Sequence, residues 1–308
     1  MPNLVLTPGD PTGIGPEITV KALQRLAEFT DLKLTVIGSL KALDEASSSL
    51  KLPLPKTVTY EAIEAKLPGS VAYQALEKAA QLIADNKADA LVTGPISKRN
   101  LIAADYQFHG HTEILEKLAH TIFDAKDARA EMLFVYKKLR MLLLTRHIAL
   151  KDVPDALAKP GAIARPLKTL IAFLRHQLKI SEPRIALLGV NPHIGEVGGS
   201  EEAQFLKPVI NAVNNIGASI LEGPYAADGF FRTLKVETNP YDAIVATYHD
   251  QGLIPFKMLA GYGAVNVTIG LPFIRTSVSH GTAEDIAGKG IAREDSLIAA
   301  LHAAQEVL

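Results

Sequence analysis

The chain has 308 residues, a formal net charge of −1 and a pI near 6.8, with 48% hydrophobic and 21% charged residues, as in an ordinary globular protein of two domains. No clustered basic excess marks a nucleic-acid partner, no apolar run nears the ~20 residues of a membrane span, and no leader pattern follows Met1, so a cytoplasmic location is expected. The absence of cysteine excludes disulfides, thiolate catalysis and Cys-ligated zinc.

Apolar, β-rich runs at 4–7, 33–37, 90–93, 133–136, 141–144, 184–189, 242–246 and 264–268 read as strands. Amphipathic stretches at 16–29, 71–86, 162–178, 201–215 and 295–307 read as helices between them. Pro16 suits a first helical turn, and Glu201 and Glu202 after Ser200 suit another helix start. Ser47-Ser48-Ser49 reads as a short loop. Near-continuous apolar strands separated by helices predict an α/β fold, with mostly parallel sheets covered by helices on both faces. Turn and polar residues mix around 106–110 and 237–240. The expected division is therefore a terminal domain of 1–105 plus 238–308 and a central domain of 106–237.

Three histidines follow apolar runs: Thr145-Arg146-His147, Asn191-Pro192-His193 and Tyr248-His249-Asp250-Gln251-Gly252. Ligands bind at the carboxyl ends of strands in open α/β sheets. Three imidazoles delivered there suit one divalent metal with a position left for substrate. The plain alternative is three structural histidines. His109, His120, His176 and His302 have no comparable context and read as surface or packing residues.

Gly9-Asp10-Pro11-Thr12-Gly13-Ile14-Gly15-Pro16-Glu17 is a strand-to-helix turn that suits either phosphate binding or tight packing, and it lacks a P-loop lysine. Thr93-Gly94-Pro95-Ile96-Ser97-Lys98 offers Lys98 to an anion, and Gly110-His111-Thr112-Glu113 offers an imidazole and a hydroxyl, although Thr112 alone suits a helix cap. Lys257, Asn266 and Arg275 supply two cations and an amide for a small anionic substrate. The loop His280-Gly281-Thr282-Ala283-Glu284-Asp285, running on to Gly290, has glycines for close ligand approach and, in Asp285, a carboxylate for a ribose diol. Asp228 is a candidate for proton traffic, with a plain loop carboxylate as the alternative.

Taken together and in order, these loops resemble the 4-hydroxythreonine-4-phosphate dehydrogenase family of pyridoxal phosphate (vitamin B6) biosynthesis, over almost the whole chain. The turn at 13–17 and the loop at 280–290 also resemble the wider β-decarboxylating dehydrogenases. The resemblance implies an isopropylmalate dehydrogenase-like, non-Rossmann fold, and a homodimer whose active sites are shared across an interface in the central domain. It implies an NAD-dependent oxidoreductase acting on a small phosphorylated hydroxy amino acid. It also implies one divalent metal on His147, His193 and His249: zinc on ligand chemistry, with cobalt or magnesium as alternatives. His111, Thr112, Lys257, Asn266 and Arg275 match the family's substrate residues, and His280, Gly281, Thr282 and Asp285 its cofactor loop. Asp285 favours the free ribose of NAD, because a carboxylate repels the extra phosphate of NADP. In one departure, the segment 194–202 is two residues shorter than the family's usual glycine loop, with Ile194 and Val197 where Ala and Gly are usual. A phosphothreonate-type dehydrogenase of sugar-acid catabolism and, further off, a phosphate acyltransferase-like enzyme are the alternative functions.

Overall fold

The computed structural model describes residues 1–29, 31–196, 199–217 and 219–308; Val197 and Gly198, in the shortened loop, lie outside the described residues. In chain order the strands are β1 (Asn3–Thr7), β2 (Lys33–Gly38), β3 (Thr59–Ala62), β4 (Ala90–Thr93), β5 (Glu131–Tyr136), β6 (Leu139–Leu143), β7 (Arg184–Leu188), β8 (Ile220–Tyr225), β9 (Ala243–Ala246), β10 (Val265–Ile269) and β11 (Ile274–Val278). The helices are α1 (Gly15–Leu23), α2 (Leu40–Leu50), α3 (Pro68–Ala84), α4 (Lys98–Ala103), α5 (His111–Ile122), α6 (Val153–Ala158), α7 (Ala164–His176), α8 (Lys207–Ile216), α9 (Ala227–Thr233), α10 (His249–Ala260) and α11 (Asp295–Val307).

Contacts divide the chain into two compact units, Met1–Ala130 with Val265–Leu308, and Glu131–Ala264. Both expected crossings lie inside a unit. Residues 106–110 lead into α5, whose Ile114, Leu115 and Leu118 belong to the first unit's core. Residues 237–240 precede β9, which pairs between β6 and β7 in the second.

In the first unit the strands run in the order β3-β2-β1-β4-β11-β10, parallel except for β10 against β11. Cross-strand partners share a face of a sheet. Val5, Leu91 and Arg275 are in register, and Val5 and Leu91 pack with Leu76, Ala80 and Ile114 of α3 and α5. Thr276 points the other way, where its Oγ1 donates to Ala300 O of α11 at 2.8 Å. Helices therefore cover both faces. By the same alternation Thr93, Asn266, Thr268, Arg275 and Ser277 share the α3–α5 face, which becomes polar where β4 ends.

In the second unit the order is β5-β6-β9-β7-β8, parallel except for the β5–β6 hairpin. Met141, Ile244 and Ala186 line one face with Leu253 and Phe256 of α10. A Cβ at Gly252 would stand 2.7 Å from Leu143 Cδ2 and 2.9 Å from the Ala246 Cβ, so only glycine lets α10 approach β6 and β9 this closely. The alternate residues Leu142, Val245 and Leu187 are also fully buried.

Several elements differ from their sequence reading. The first helix ends at Leu23, with a short 3-10 turn at Leu26–Glu28. Ser47, Ser48 and Ser49 form the last turn of α2, not a loop; Ser39 Oγ caps its start and Lys51, at φ +57°, ends it. Strands β3, β8 and β11 were not legible. The first is a polar edge strand, the second contains Gly223 and Pro224, and the third has inward residues that are polar rather than apolar. No described helix is long and apolar enough to cross a membrane.

Candidate active site

The glycine-rich turn after β1 is a packing device. A Cβ at Gly9 would lie 2.1 Å from Pro95 O, one at Gly15 2.0 Å from Pro8 O, and one at Gly94 2.1 Å from Pro8 O. Buried Asp10 locks the turn, accepting from Thr12 N at 2.9 Å, Thr12 Oγ1 at 2.7 Å and Asn100 Nδ2 at 2.9 Å. The turn braces the candidate cofactor loop. Ile14 N donates to Thr282 O at 2.9 Å, and Glu17 accepts from Gly290 N at 3.2 Å and Ala292 N at 2.8 Å. Lys21 closes the staple onto Glu17 at 2.9 Å. Lys98 is exposed at the start of α4.

On that loop, Ala283 has φ +42°. Glu284 pairs with Arg99 at 2.5 Å. Asp285 is exposed and makes no hydrogen bond or ion pair among the described residues, so it neither caps the turn nor pairs with Lys289. His280 is exposed, with Nδ1 3.0 Å from Gly281 O.

The polar end of the first unit's sheet holds an unneutralised cation. Arg275 is 2% exposed. Its Nε and Nη2 donate to Thr93 Oγ1 at 3.1 and 2.7 Å, and its Nη1 donates to Thr268 Oγ1 at 2.8 Å. Among the described residues no carboxylate pairs with it. Burial pushes its pKa down to about 9. A guanidinium still stays charged at neutral pH. His111, at the start of α5, has its pKa held well below the usual 6.5 by burial and by the nearby Arg275 charge. Among the described residues, buried His111 Nε2, Asn266 Oδ1 and Thr7 Oγ1 have no hydrogen-bond partner. Buried polar atoms are ordinarily satisfied. A buried cation and open polar atoms on one sheet face fit a phosphate or carboxylate. Thr112 sits one residue into α5, after Gly110 in the cap position, and makes no cap bond.

The second unit carries the histidines. His147 follows β6, His193 follows β7, and His249 opens α10 after β9. The His147 and His249 rings lie 5.9 Å apart, in a cavity of about 280 Å³ lined also by Arg146, Ile148, Tyr248 and Asp250. Burial, then the neighbouring His249 and Arg146, lower the His147 pKa, which favours the neutral form that a metal ligand needs. His249 Nδ1 is 2.6 Å from Asp250 Oδ1. His193 is exposed on a short 3-10 turn, where it and Ile194 both have positive φ, +53° and +54°. Such conformations cost about 1–3 kcal/mol each and persist where the surroundings impose them. Among the described residues no three His, Asp or Glu side chains gather closely enough to hold an ion. The donors fit a divalent metal in chemistry, three imidazoles being a suitable set.

Behind the imidazoles the strand ends are laced together by groups that sequence reading passed over. Thr145 Oγ1 donates to Thr247 O at 2.7 Å, Thr247 N donates to Gln251 Oε1 at 2.8 Å, and Gln251 Nε2 donates to Gly189 O at 2.5 Å. Glu202, expected to favour a helix start, is a buried carboxylate facing the 189–195 loop. Burial would raise its pKa, but hydrogen bonds from Asn191 and Val190 hold it below the usual carboxylate value. The only sequence signal was the Glu-Glu pair beside the histidine loop.

Lys257 lies exposed in the last turn of α10. Asp228 is exposed in the first turn of α9, so it is a helix-start carboxylate rather than a loop one. Neither has a polar partner among the described residues. The expected substrate groups are therefore divided: His111, Thr112, Asn266 and Arg275 in the first unit, Lys257 in the second. Of the remaining histidines, His120 Nε2 lies 3.0 Å from Ala128 O and His302 stacks on Phe29 at 4.2 Å.

A family model described as pyridoxal phosphate biosynthetic protein PdxA matches residues 14–304. A 4-hydroxythreonine-4-phosphate dehydrogenase of Synechocystis sp. is 39% identical, over 100% of this chain and 96% of that protein. A D-threonate 4-phosphate dehydrogenase of Cupriavidus necator is 36% identical, over 100% of this chain and 97% of that one. The crystal structure of a 4-hydroxythreonine-4-phosphate dehydrogenase from Klebsiella pneumoniae matches with a TM-score of 0.84 at 31% identity, over 99% of this chain and 98% of that one.

Proposed function

The chain belongs to the pyridoxal phosphate biosynthetic protein PdxA family, and from that premise we propose that it is an NAD-dependent dehydrogenase of 4-phosphooxy-L-threonine in vitamin B6 biosynthesis. The C3 alcohol is oxidised to a ketone, with hydride passing to NAD and a proton released. The β-keto acid then loses carbon dioxide to give 3-amino-2-oxopropyl phosphate.

The observation that carries this reading is Arg275, a buried guanidinium whose partners among the described residues are hydroxyls, beside the open polar atoms of His111 and Asn266. An anionic group of the substrate would supply the missing counter-charge, and neutral His111 would take part in a hydrogen bond to it. Charge-assisted bonds of this kind fix a substrate as well as bind it. Thr112 and Lys257 would add a hydroxyl and a second cation.

His147, His193 and His249 would hold a divalent ion, zinc on imidazole chemistry, with cobalt or magnesium as alternatives. When bound, such an ion supplies Lewis acidity that eases loss of a hydroxyl proton. A homodimer with shared active sites would give the incomplete histidine set its remaining donors. His280, Gly281, Thr282 and Asp285 would receive the NAD adenosine, with the free Asp285 carboxylate accepting from the ribose hydroxyls. Asp228, exposed at a helix start, would serve proton traffic.

The likeness to the D-threonate 4-phosphate dehydrogenase favours a second reading, oxidation of a phosphothreonate. Both substrates carry a phosphate, a carboxylate and a C3 hydroxyl, and they differ at C2. The deciding experiment follows NADH formation by purified protein with 4-phosphooxy-L-threonine and with 4-phospho-D-threonate, each with and without added Zn²⁺ or Co²⁺. Faster turnover of the amino acid supports the main reading. Preference for the threonate moves the assignment to the second, and NADH from neither removes both.

A further inference from the structure

We propose that Glu202 and Gln251 are positioning residues that together clamp the His193 loop onto the strand end bearing His249. The inference rests on the three-histidine reading of the metal site.

The loop after β7 is held at successive backbone groups from two sides. Glu202 Oε1 accepts from Val190 N at 2.8 Å and Asn191 N at 2.7 Å, while Oε2 accepts from Asn191 Nδ2 at 3.1 Å. From the other side Gln251 Nε2 donates to Gly189 O at 2.5 Å, and Thr247 Oγ1 reaches the same oxygen at 3.3 Å. Gln251 lies two residues beyond His249 on α10, and its Oε1 accepts from Thr247 N at 2.8 Å. One side chain thus ties the β7 end to the β9 end, and the other fixes the turn that follows.

Glu202 is 1% exposed and pairs with no cation among the described residues. Among the described residues its side-chain oxygens accept from the N–H donors of Val190 and Asn191 in this loop. The loop is also shaped around it. A Cβ on Gly189 would come 3.2 Å from Oε1, and one on Gly195 2.9 Å from Oε2. Next to these contacts His193 and Ile194 hold positive φ, uncommon for non-glycine residues and an outlier for β-branched Ile194. The hydrogen bonds on 189–191 and the close packing of Gly195 against Glu202 bracket the two strained residues and set where the imidazole begins. Residues that orient metal ligands change metal affinity by about 10–100-fold when replaced.

The test uses isosteric changes. Glu202→Gln places an NH₂ against N–H donors whichever way the amide turns. Gln251→Glu places an acceptor against Gly189 O and keeps the acceptor for Thr247 N. Metal-free full-length protein is titrated with Co²⁺ by visible absorption, with circular dichroism reporting the fold. Each variant should stay folded and bind Co²⁺ at least about tenfold more weakly than wild type. In a His193→Ala background, neither change should weaken binding further. A role only in folding predicts a lower Tm with wild-type Co²⁺ affinity, and that result overturns the proposal. Equal losses with and without His193 overturn it too. If Glu202→Gln fails to fold, Gln251→Glu decides on the same outcomes. Wild-type protein that binds no Co²⁺ sinks the three-histidine reading and the clamp with it. Tight binding by wild type and by both variants sinks the clamp alone.

Discussion

The Arg275 basin and the histidine loops carry the two main parts of the proposed chemistry, and they are built on opposite plans. The basin is set into the sheet itself. Thr93, Thr268 and Arg275 stand on neighbouring strands, and register alone puts them on one face. Their geometry is fixed before any ligand arrives. The histidines begin where the strands stop. Two of them face each other at 5.9 Å and the third rides on a strained turn held from behind by Glu202 and Gln251. Binding by the first plan is preorganised and spends little on ordering, whereas the second depends on a loop keeping its shape.

The sharpest way to break this contrast is on the loop side. His249→Ala should take NADH formation to background and lower bound divalent metal, with the circular dichroism spectrum unchanged. Full metal content and rate in that variant would leave the imidazoles as structural groups.

Arg275→Ala comes next. Losing a charge-assisted contact costs about 1.5–3 kcal/mol, so kcat/KM for the phosphorylated substrate should fall at least about tenfold. Removing a buried cation that has no carboxylate partner among the described residues should leave Tm level or raise it. A fall in Tm with unchanged kcat/KM would make the arginine a structural residue.

Asp285 tests a third kind of site in the same unit as Arg275, exposed and unpaired. Wild type should prefer NAD, and Asp285→Asn should narrow the NAD/NADP ratio of kcat/KM chiefly by improving NADP. An unchanged ratio would mean that this carboxylate does not read the ribose.

The smallest effect concerns His111. Its folded pKa is depressed by burial and by Arg275. The unfolded chain therefore takes up a proton that the folded chain refuses as the pH drops below about 6.5. The stability tied to the neutral ring is fully present above that pH and is lost towards the lower, folded pKa. His111→Asn should flatten the acid side of the Tm–pH curve. An unaltered slope would show that the ring is not sealed against protons.

How legible these features were depended on whether a buried segment is apolar. Strands β1, β4, β7 and β9 are near-continuous runs of Leu, Val, Ile and Ala, and they were readable with the loops that follow them. Strand β11 is equally buried but reads Ile-Arg-Thr-Ser-Val. Hydrophobic periodicity fails there because the inward positions are the buried polar residues Arg275 and Ser277. Helix α10 was missed, although His249 was singled out. Gly252 and Pro255 look like breakers until the close approach to Leu143 and Ala246 is seen.

The sequence by itself determined the alternation of strands and helices and the three loops that carry histidines after strand ends, because each is local: a run of side chains or a motif of fixed spacing. Only the tertiary structure decided that the glycine turn braces the 280–292 segment. It alone decided that Arg275 is buried against the hydroxyls of Thr93 and Thr268 and that Glu202 faces inward. Those facts are relations between residues far apart in the chain, such as Ile14 with Thr282 or Thr93 with Arg275. Strand register and burial create them, and neither is carried by any short stretch of sequence.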